Sequence, residues 1–120
     1  MLINLIIFFP ERTLIVRPPQ TQRIIKGSSA EFYCGVSNDP SIPVMWKWSH
    51  RALQSSDKVE IVGDARRVIS PEGTLTIYGV RNNDIGNYTC EVTSAGGNDT
   101  KTVSLTVIGK PWIQVLDMFF

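Results

Sequence analysis

Five stretches of this chain alternate apolar and polar residues with a period of two. AEFYCGV at 30–36 sets Ala30, Phe32, Cys34 and Val36 on one face and Glu31, Tyr33 and Gly35 on the other. VMWKW sets Val44, Trp46 and Trp48 together with Lys47 opposite, and TLTIYGV sets Leu75 and Ile77 against Thr74 and Thr76. NYTCEV groups Tyr88, Cys90 and Val92 against Asn87, Thr89 and Glu91; TVSLTV groups Val103, Leu105 and Val107 against Ser104 and Thr106. Successive side chains of a strand point to opposite faces, so each stretch predicts a half-buried antiparallel strand. No stretch holds apolar residues at i, i+3, i+4 and i+7 for three turns, and no helix is predicted. Turn-forming clusters separate the runs: KGSS at 26–29, SNDPSIP at 37–43, SPEG at 70–73, GVRNNDIG at 79–86 and SAGGND at 94–99. The last lies between two alternating runs and predicts a hairpin whose glycines supply positive φ. Pro18-Pro19 interrupts the early run LIVR and predicts an edge strand that ends there or switches sheets. Short strands at this spacing fit a sandwich or a barrel.

Three residues narrow that choice. Cys34 lies on an inward face, Trp46 follows twelve positions later, and Cys90 lies on another inward face. That order and spacing match the two cysteines and strand C tryptophan of an immunoglobulin sandwich. Tyr88, two residues before the second cysteine, matches the tyrosine corner, whose hydroxyl bonds backbone a few residues upstream. Asp84 and Gly86 shape the turn into that strand, and Asp84 is expected to pair with Arg66, with Arg67 the second choice. Trp46 is therefore expected to be the core tryptophan. Trp48 shares its parity but comes at the strand end, and is expected to pack near the bottom of the sandwich. The predicted fold class is all-β, an immunoglobulin-like two-sheet antiparallel β-sandwich of the I-set type.

Composition changes the picture in a few places. A chain of 120 residues fits one domain, and 42% hydrophobic content is enough for one core. A net charge of +1 with a single adjacent basic pair, Arg66-Arg67, gives no footprint for nucleic acid. Two cysteines cannot build a thiolate zinc cage and are far from CxxC spacing. Two distant cysteines in a strand-rich chain predict one disulfide, Cys34–Cys90. In the chain-entropy model it stabilises by about 4 kcal/mol. It also implies an oxidising compartment. Residues 1–12 are expected to be an apolar leader or non-native start. Their apolar run is too short to span a bilayer and has neither the basic n-region nor the cleavage site of a good signal peptide. Residues 109–120 are expected to be a linker or non-native tail.

Residues 13–108 resemble an I-set immunoglobulin domain. Within that class, RPPQ at 17–20, IKGSSAEFYCGVSNDP at 25–40, GTLTI at 73–77, DIGNYTCEV at 84–92 and SAGGNDT at 94–100 are most similar to the Sidekick family. Contactin-like and L1-like adhesion proteins are the nearest competitors. Sidekick proteins are large neuronal adhesion receptors with tandem immunoglobulin and fibronectin type III domains and a membrane span. The resemblance implies a non-enzymatic extracellular module in homophilic cell–cell recognition, neuronal and synaptic, as recognition unit or spacer. Its partners would be proteins: a homophilic partner or neighbouring immunoglobulin domains. A membrane would enter only through a parent receptor. The chain departs from the family at WKWSHRAL, where Trp48 and Ser49-His50 replace a charged residue and an Asp-Gly turn. Two other readings stay open: a ligand-binding ectodomain of a signalling receptor, and an intracellular I-set structural module of a muscle protein.

No catalytic constellation is expected. His50 is expected in a polar turn, SHRA, there is no G-x-S-x-G elbow, and no Gly-rich loop leads from a strand into a helix. Asp57, Glu60 and Asp64 lack the alternating spacing of a calcium loop. No cofactor, metal or small-molecule substrate is therefore expected. Candidate binding surfaces are the C–F–G face (Lys47, Thr89, Glu91, Ser104), the F–G hairpin from Ala95 to Asp99, and the edge strands through strand addition. There are two N-glycosylation acceptors, Asn98 in NDT at the hairpin and Asn87 in NYT on strand F.

Overall fold

A computed structural model describes residues 13–37 and 43–109. The residues at 1–12 and 110–120, and most of the SNDPSIP turn, lie outside the described residues. The strands are β1 (Ile15–Arg17), β2 (Gln22–Ile25), β3 (Ala30–Phe32), β4 (Gly35–Val36), β5 (Met45–Ala52), β6 (Val59–Glu60), β7 (Arg67–Ile69), β8 (Leu75–Ile77), β9 (Gly86–Ser94) and β10 (Gly97–Ile108). A 3-10 turn, Asn82–Asp84, precedes β9.

The strands form two layers. One is a five-stranded sheet in the order β2-β10-β9-β5-β6; the other is a three-stranded sheet in the order β3-β8-β7. A further pair, β1-β4, extends the smaller layer, because β4 continues the path of β3 after Tyr33-Cys34. β1 thus belongs to one layer and β2 to the other, where it runs parallel to β10. The chain changes layers across Pro18-Pro19, where proline cannot donate to a ladder. The larger sheet is anchored by the β9–β10 hairpin, whose ladder runs from Gly97–Ser94 to Leu105–Gly86.

Period-two alternation decides what lies between the layers. Ala30, Phe32, Cys34, Leu75, Ile77, Tyr88, Cys90, Val92 and Leu105 are all buried, while Glu31, Tyr33 and Lys47 are exposed. Burying one large apolar side chain contributes about 1.5–3 kcal/mol, so these positions form the main stabilising layer. Cys34 and Cys90 are joined across it by a disulfide with a Cα–Cα distance of 6.7 Å.

The tryptophans depart from expectation. Trp48, not Trp46, is the core indole: it is fully buried, while Trp46 is only half-buried. The reason is register. β5 sets Trp48 opposite Cys90 and Trp46 opposite Val92, so Trp48 stands at the level of the disulfide and against Phe32, with ring centroids 6.0 Å apart. Both indoles then take a second role. The β3–β8 ladder ends at Phe32–Leu75; the same register continued would set Cys34 opposite Gly73. Instead, Trp46 Nε1 donates to the Cys34 carbonyl at 3.0 Å and Trp48 Nε1 donates to the Gly73 carbonyl at 2.8 Å. The two N–H groups satisfy carbonyls beyond the end of the ladder, which a buried backbone requires. Trp46 lies so close over Gly73 that a Cβ there would approach its ring to 2.4 Å.

His50 is a second correction. It lies inside β5, not in a turn, and its ring stacks on Tyr88 at 4.3 Å with an interplanar angle of 7°.

Candidate interaction surface

The end of the sandwich below Tyr88 is a polar knot. Tyr88 Oη donates to the Asp84 carbonyl at 2.6 Å, the contact of a tyrosine corner. Arg66 grips the Asp84 carboxylate with both terminal nitrogens, Nη1 to Oδ2 and Nη2 to Oδ1, each at 2.8 Å. The Arg81 N–H donates to the same carboxylate at 2.8 Å. One aspartate thus ties the approach to β7, the 3-10 turn and the start of β9. Burial pushes the Asp84 carboxyl up, but Arg66 and the Arg81 N–H outweigh it and hold the carboxyl below the ordinary range. Burial, reinforced by the Asp84 charge, pushes the Tyr88 phenol up, so it stays a donor. Burial also lowers His50, whose Nε2 lies 3.2 Å from the Ile85 carbonyl and therefore carries the proton. These contacts employ His50 in packing and in holding the turn. Among the described residues there is no group of three His, Cys, Asp or Glu side chains that could hold a metal.

The outer face of the five-stranded sheet presents polar rungs. Thr102, Thr89, Ser49 and Glu60 follow one another across β10, β9, β5 and β6. The neighbouring rungs are Thr100–Glu91–Lys47 and Ser104–Asn87–Arg51. Lys47 reaches Glu60 at 3.6 Å, with both side chains about half exposed. Such a surface pair is worth at most about 1 kcal/mol, so it orders the face more than it stabilises it. Thr89 lies on this face but is 8% exposed, its hydroxyl 2.8 Å from that of Thr102. It is covered, so the contact groups of the face are Lys47, Glu91, Arg51 and Asn87. A shallow depression beside them is lined by Arg51, Lys58, Asn87, Thr89 and Thr102.

Both sugar acceptors are exposed and lie on this one face. Asn98 is not in the hairpin loop. It is the second residue of β10, paired with Thr93, and the loop itself is Ala95-Gly96. Asn87 stands opposite Ser104 on the same ladder. The opposite layer carries a cleft of about 490 Å³, where the β3–β8 ladder ends, with Arg17, Tyr33 and Glu72 among its lining groups.

The edge strands β6 and β7 differ in how open they are. β7 is capped by its own chain: the Asp64 carboxylate accepts the Arg66 and Arg67 N–H groups, each at 2.8 Å, and the Asp64 N–H donates to the Arg67 carbonyl at 2.8 Å. β6 stands at the edge of the larger sheet with Val59, Glu60 and Val62 exposed. The signal missed in the sequence was KVEIV at 58–62, an alternating run too short to stand out beside the longer ones.

The family model described as the Immunoglobulin I-set domain matches residues 13–107. Protein sidekick-1 of Homo sapiens is 39% identical over 102 residues, covering 83% of this chain and 4% of that protein. Protein sidekick of Drosophila melanogaster is 39% identical over 102 residues, covering 84% and 4%. This chain therefore spans about 4% of the length of the curated relatives it matches. Among solved structures, that of a Titin M10–Obscurin like 1 Ig complex (F17R mutant) superposes with a TM-score of 0.68 at 22% identity, covering 84% of this chain and 97% of that one. At that identity the likeness shows the fold alone.

Proposed function

The chain belongs to the immunoglobulin I-set family, and on that premise we propose that it is a non-enzymatic extracellular module of a Sidekick-like cell-adhesion receptor. It takes part in homophilic cell–cell recognition of the neuronal, synaptic kind, as binder or as spacer between neighbouring domains. The observation that carries this reading is the similarity to Sidekick proteins of vertebrates and a fly, which extends across nearly the whole sandwich. The Cys34–Cys90 disulfide supports an oxidising, extracellular setting. Two exposed sugar acceptors agree with it. The partners are proteins, engaged through sheet faces, loops or edges rather than through a catalytic pocket. Membrane attachment belongs to the parent receptor; among the described residues no helix is long and apolar enough to cross a membrane.

Bead aggregation tests the adhesive part. Beads carrying the tandem immunoglobulin region are expected to cluster, and beads that stay dispersed would count against homophily. Free-thiol counting on natively expressed protein tests the compartment. No reactive thiol is expected; two would favour an intracellular structural module.

A further inference from the structure

Among the described residues β6 pairs on one side only, with β5, and the geometry of its other edge selects a partner. Ser49 faces Glu60 and His50 faces Val59, and the Ile61 N–H donates to the Trp48 carbonyl at 2.8 Å. In an antiparallel ladder the hydrogen-bonded residues alternate. Val59 and Ile61 therefore turn their backbone groups toward β5. Lys58, Glu60 and Val62 turn theirs away from the sheet. Val59 is 62% exposed and Val62 is 75% exposed, so apolar surface accompanies this open edge. A strand edge of this kind is a template for another strand unless charge, proline or a covering segment blocks it. No proline interrupts residues 54–69, and Asp64 covers β7 but not β6. The charges at 58 and 60 remain to decide what can dock.

We propose that β6 pairs antiparallel with β6 of a second copy of this chain, about a two-fold axis at Val59. Only residues with outward backbone groups can form the hydrogen-bonded pairs, which leaves two registers with their axis within β6. An axis at Glu60 would set two glutamates face to face. An axis at Val59 sets Lys58 opposite Glu60 of the copy, and Glu60 opposite Lys58, with backbone bonds at both pairs. Opposite charges directly across a ladder stabilise it and like charges weaken it. Lys58 thus repels a basic strand but complements its own copy. The two Val59 side chains meet as a non-hydrogen-bonded pair, the closer of the two kinds. The two five-stranded sheets become one continuous sheet. This inference deepens the homophilic reading above and makes this domain a contact point instead of a spacer.

The test uses the full chain and three exposed positions. Sedimentation velocity over a concentration series is expected to show a reversible dimer. Glu60→Lys and Lys58→Glu each place like charges across both pairs and are expected to weaken the dimer about tenfold or more. Mixing the two variants restores opposite charges at both pairs, so a heterodimer is expected at about the native affinity. Val59→Cys is expected to cross-link between copies under mild oxidation, since non-hydrogen-bonded Cα atoms stand about 4.5 Å apart, within disulfide reach. Glu60→Cys, out of register with itself, is expected to cross-link far less. A native chain that stays monomeric throughout overturns the proposal. So does a dimer indifferent to both charge reversals, or equal cross-linking at 59 and 60. Bead aggregation by the tandem region would survive any of those failures, so loss of this contact and loss of homophily are told apart.

Discussion

A methyl group added at Gly86 would land 2.1 Å from the Arg51 carbonyl oxygen, at a backbone φ of +144°. Both the contact and the dihedral oppose any side chain, so Gly86→Ala is expected to cost about 3 kcal/mol or more in urea unfolding. The indoles divide by depth. Trp48→Phe leaves the buried Gly73 carbonyl without its donor and opens a void, which is expected to cost about 3–4 kcal/mol. Trp46→Phe, at a half-buried site, is expected to cost about 1–2 kcal/mol. The reverse order in urea midpoints would return Trp46 to the centre of the core. Protons act on Asp84 and His50. Both carry folded-state values below their ordinary ones, so the unfolded chain binds protons that the folded chain does not. Stability is therefore expected to fall as pH drops below about 6.5, through His50, and again below about 4, through Asp84. His50→Phe keeps a ring on Tyr88 and is expected to remove the upper step alone from a plot of urea midpoint against pH. Asp84→Asn is expected to shrink the lower one, the remainder coming from Asp64, whose carboxyl the Arg67 and Arg66 N–H groups also hold below the ordinary range.

At the scale of elements, the disulfide joins the layers over a sequence separation of 56 residues. Its reduction is expected to lower unfolding free energy by about 4 kcal/mol, measured with and without reductant. The strands themselves were legible, because alternation fixes parity and parity fixes which side chains enter the core. Phe32, Leu75, Tyr88, Val92 and Leu105 all follow it. The tyrosine corner was legible too, because Asp84, Gly86 and Tyr88 are close in sequence and act locally. The core tryptophan was not. Trp46 and Trp48 have the same parity, and a ladder shifted by two residues keeps every side chain on its own face. Only the pairing of β5 with β9, which places Trp48 against Cys90, decides between them. That pairing joins residues about forty positions apart, beyond the reach of a local pattern. Thr89 stands on the face expected of it, but its low exposure was not legible, because the Thr102 hydroxyl that meets its own comes from a neighbouring strand.

For the whole molecule, surface arrangement matters most. Asn87 and Asn98 lie six rungs apart on one face, about 20 Å at strand rise. Intact-mass measurement before and after glycosidase treatment is expected to report sugar at Asn98 more fully than at Asn87. Asn87 lines the same depression as Lys58, next to β6. A glycan at Asn87 is therefore expected to suppress dimerisation in sedimentation, whereas one at Asn98 leaves it unchanged.

The parallel pairing of β2 with β10 has a mechanical consequence. The described chain enters beside the hairpin, where the Thr13 N–H reaches the Gly96 carbonyl, and leaves at the other end, where Lys26 bonds Ile108. Once β1 has come away from β4, tension applied through the two ends pulls β2 by its first residue and β10 by its last. The four paired positions from Leu105–Gln22 to Ile108–Ile25 then bear the load together, in shear, instead of opening one after another like a zip. A sandwich threaded this way is expected to resist stretching along its strands, which force spectroscopy on the single domain would read as a high unfolding force.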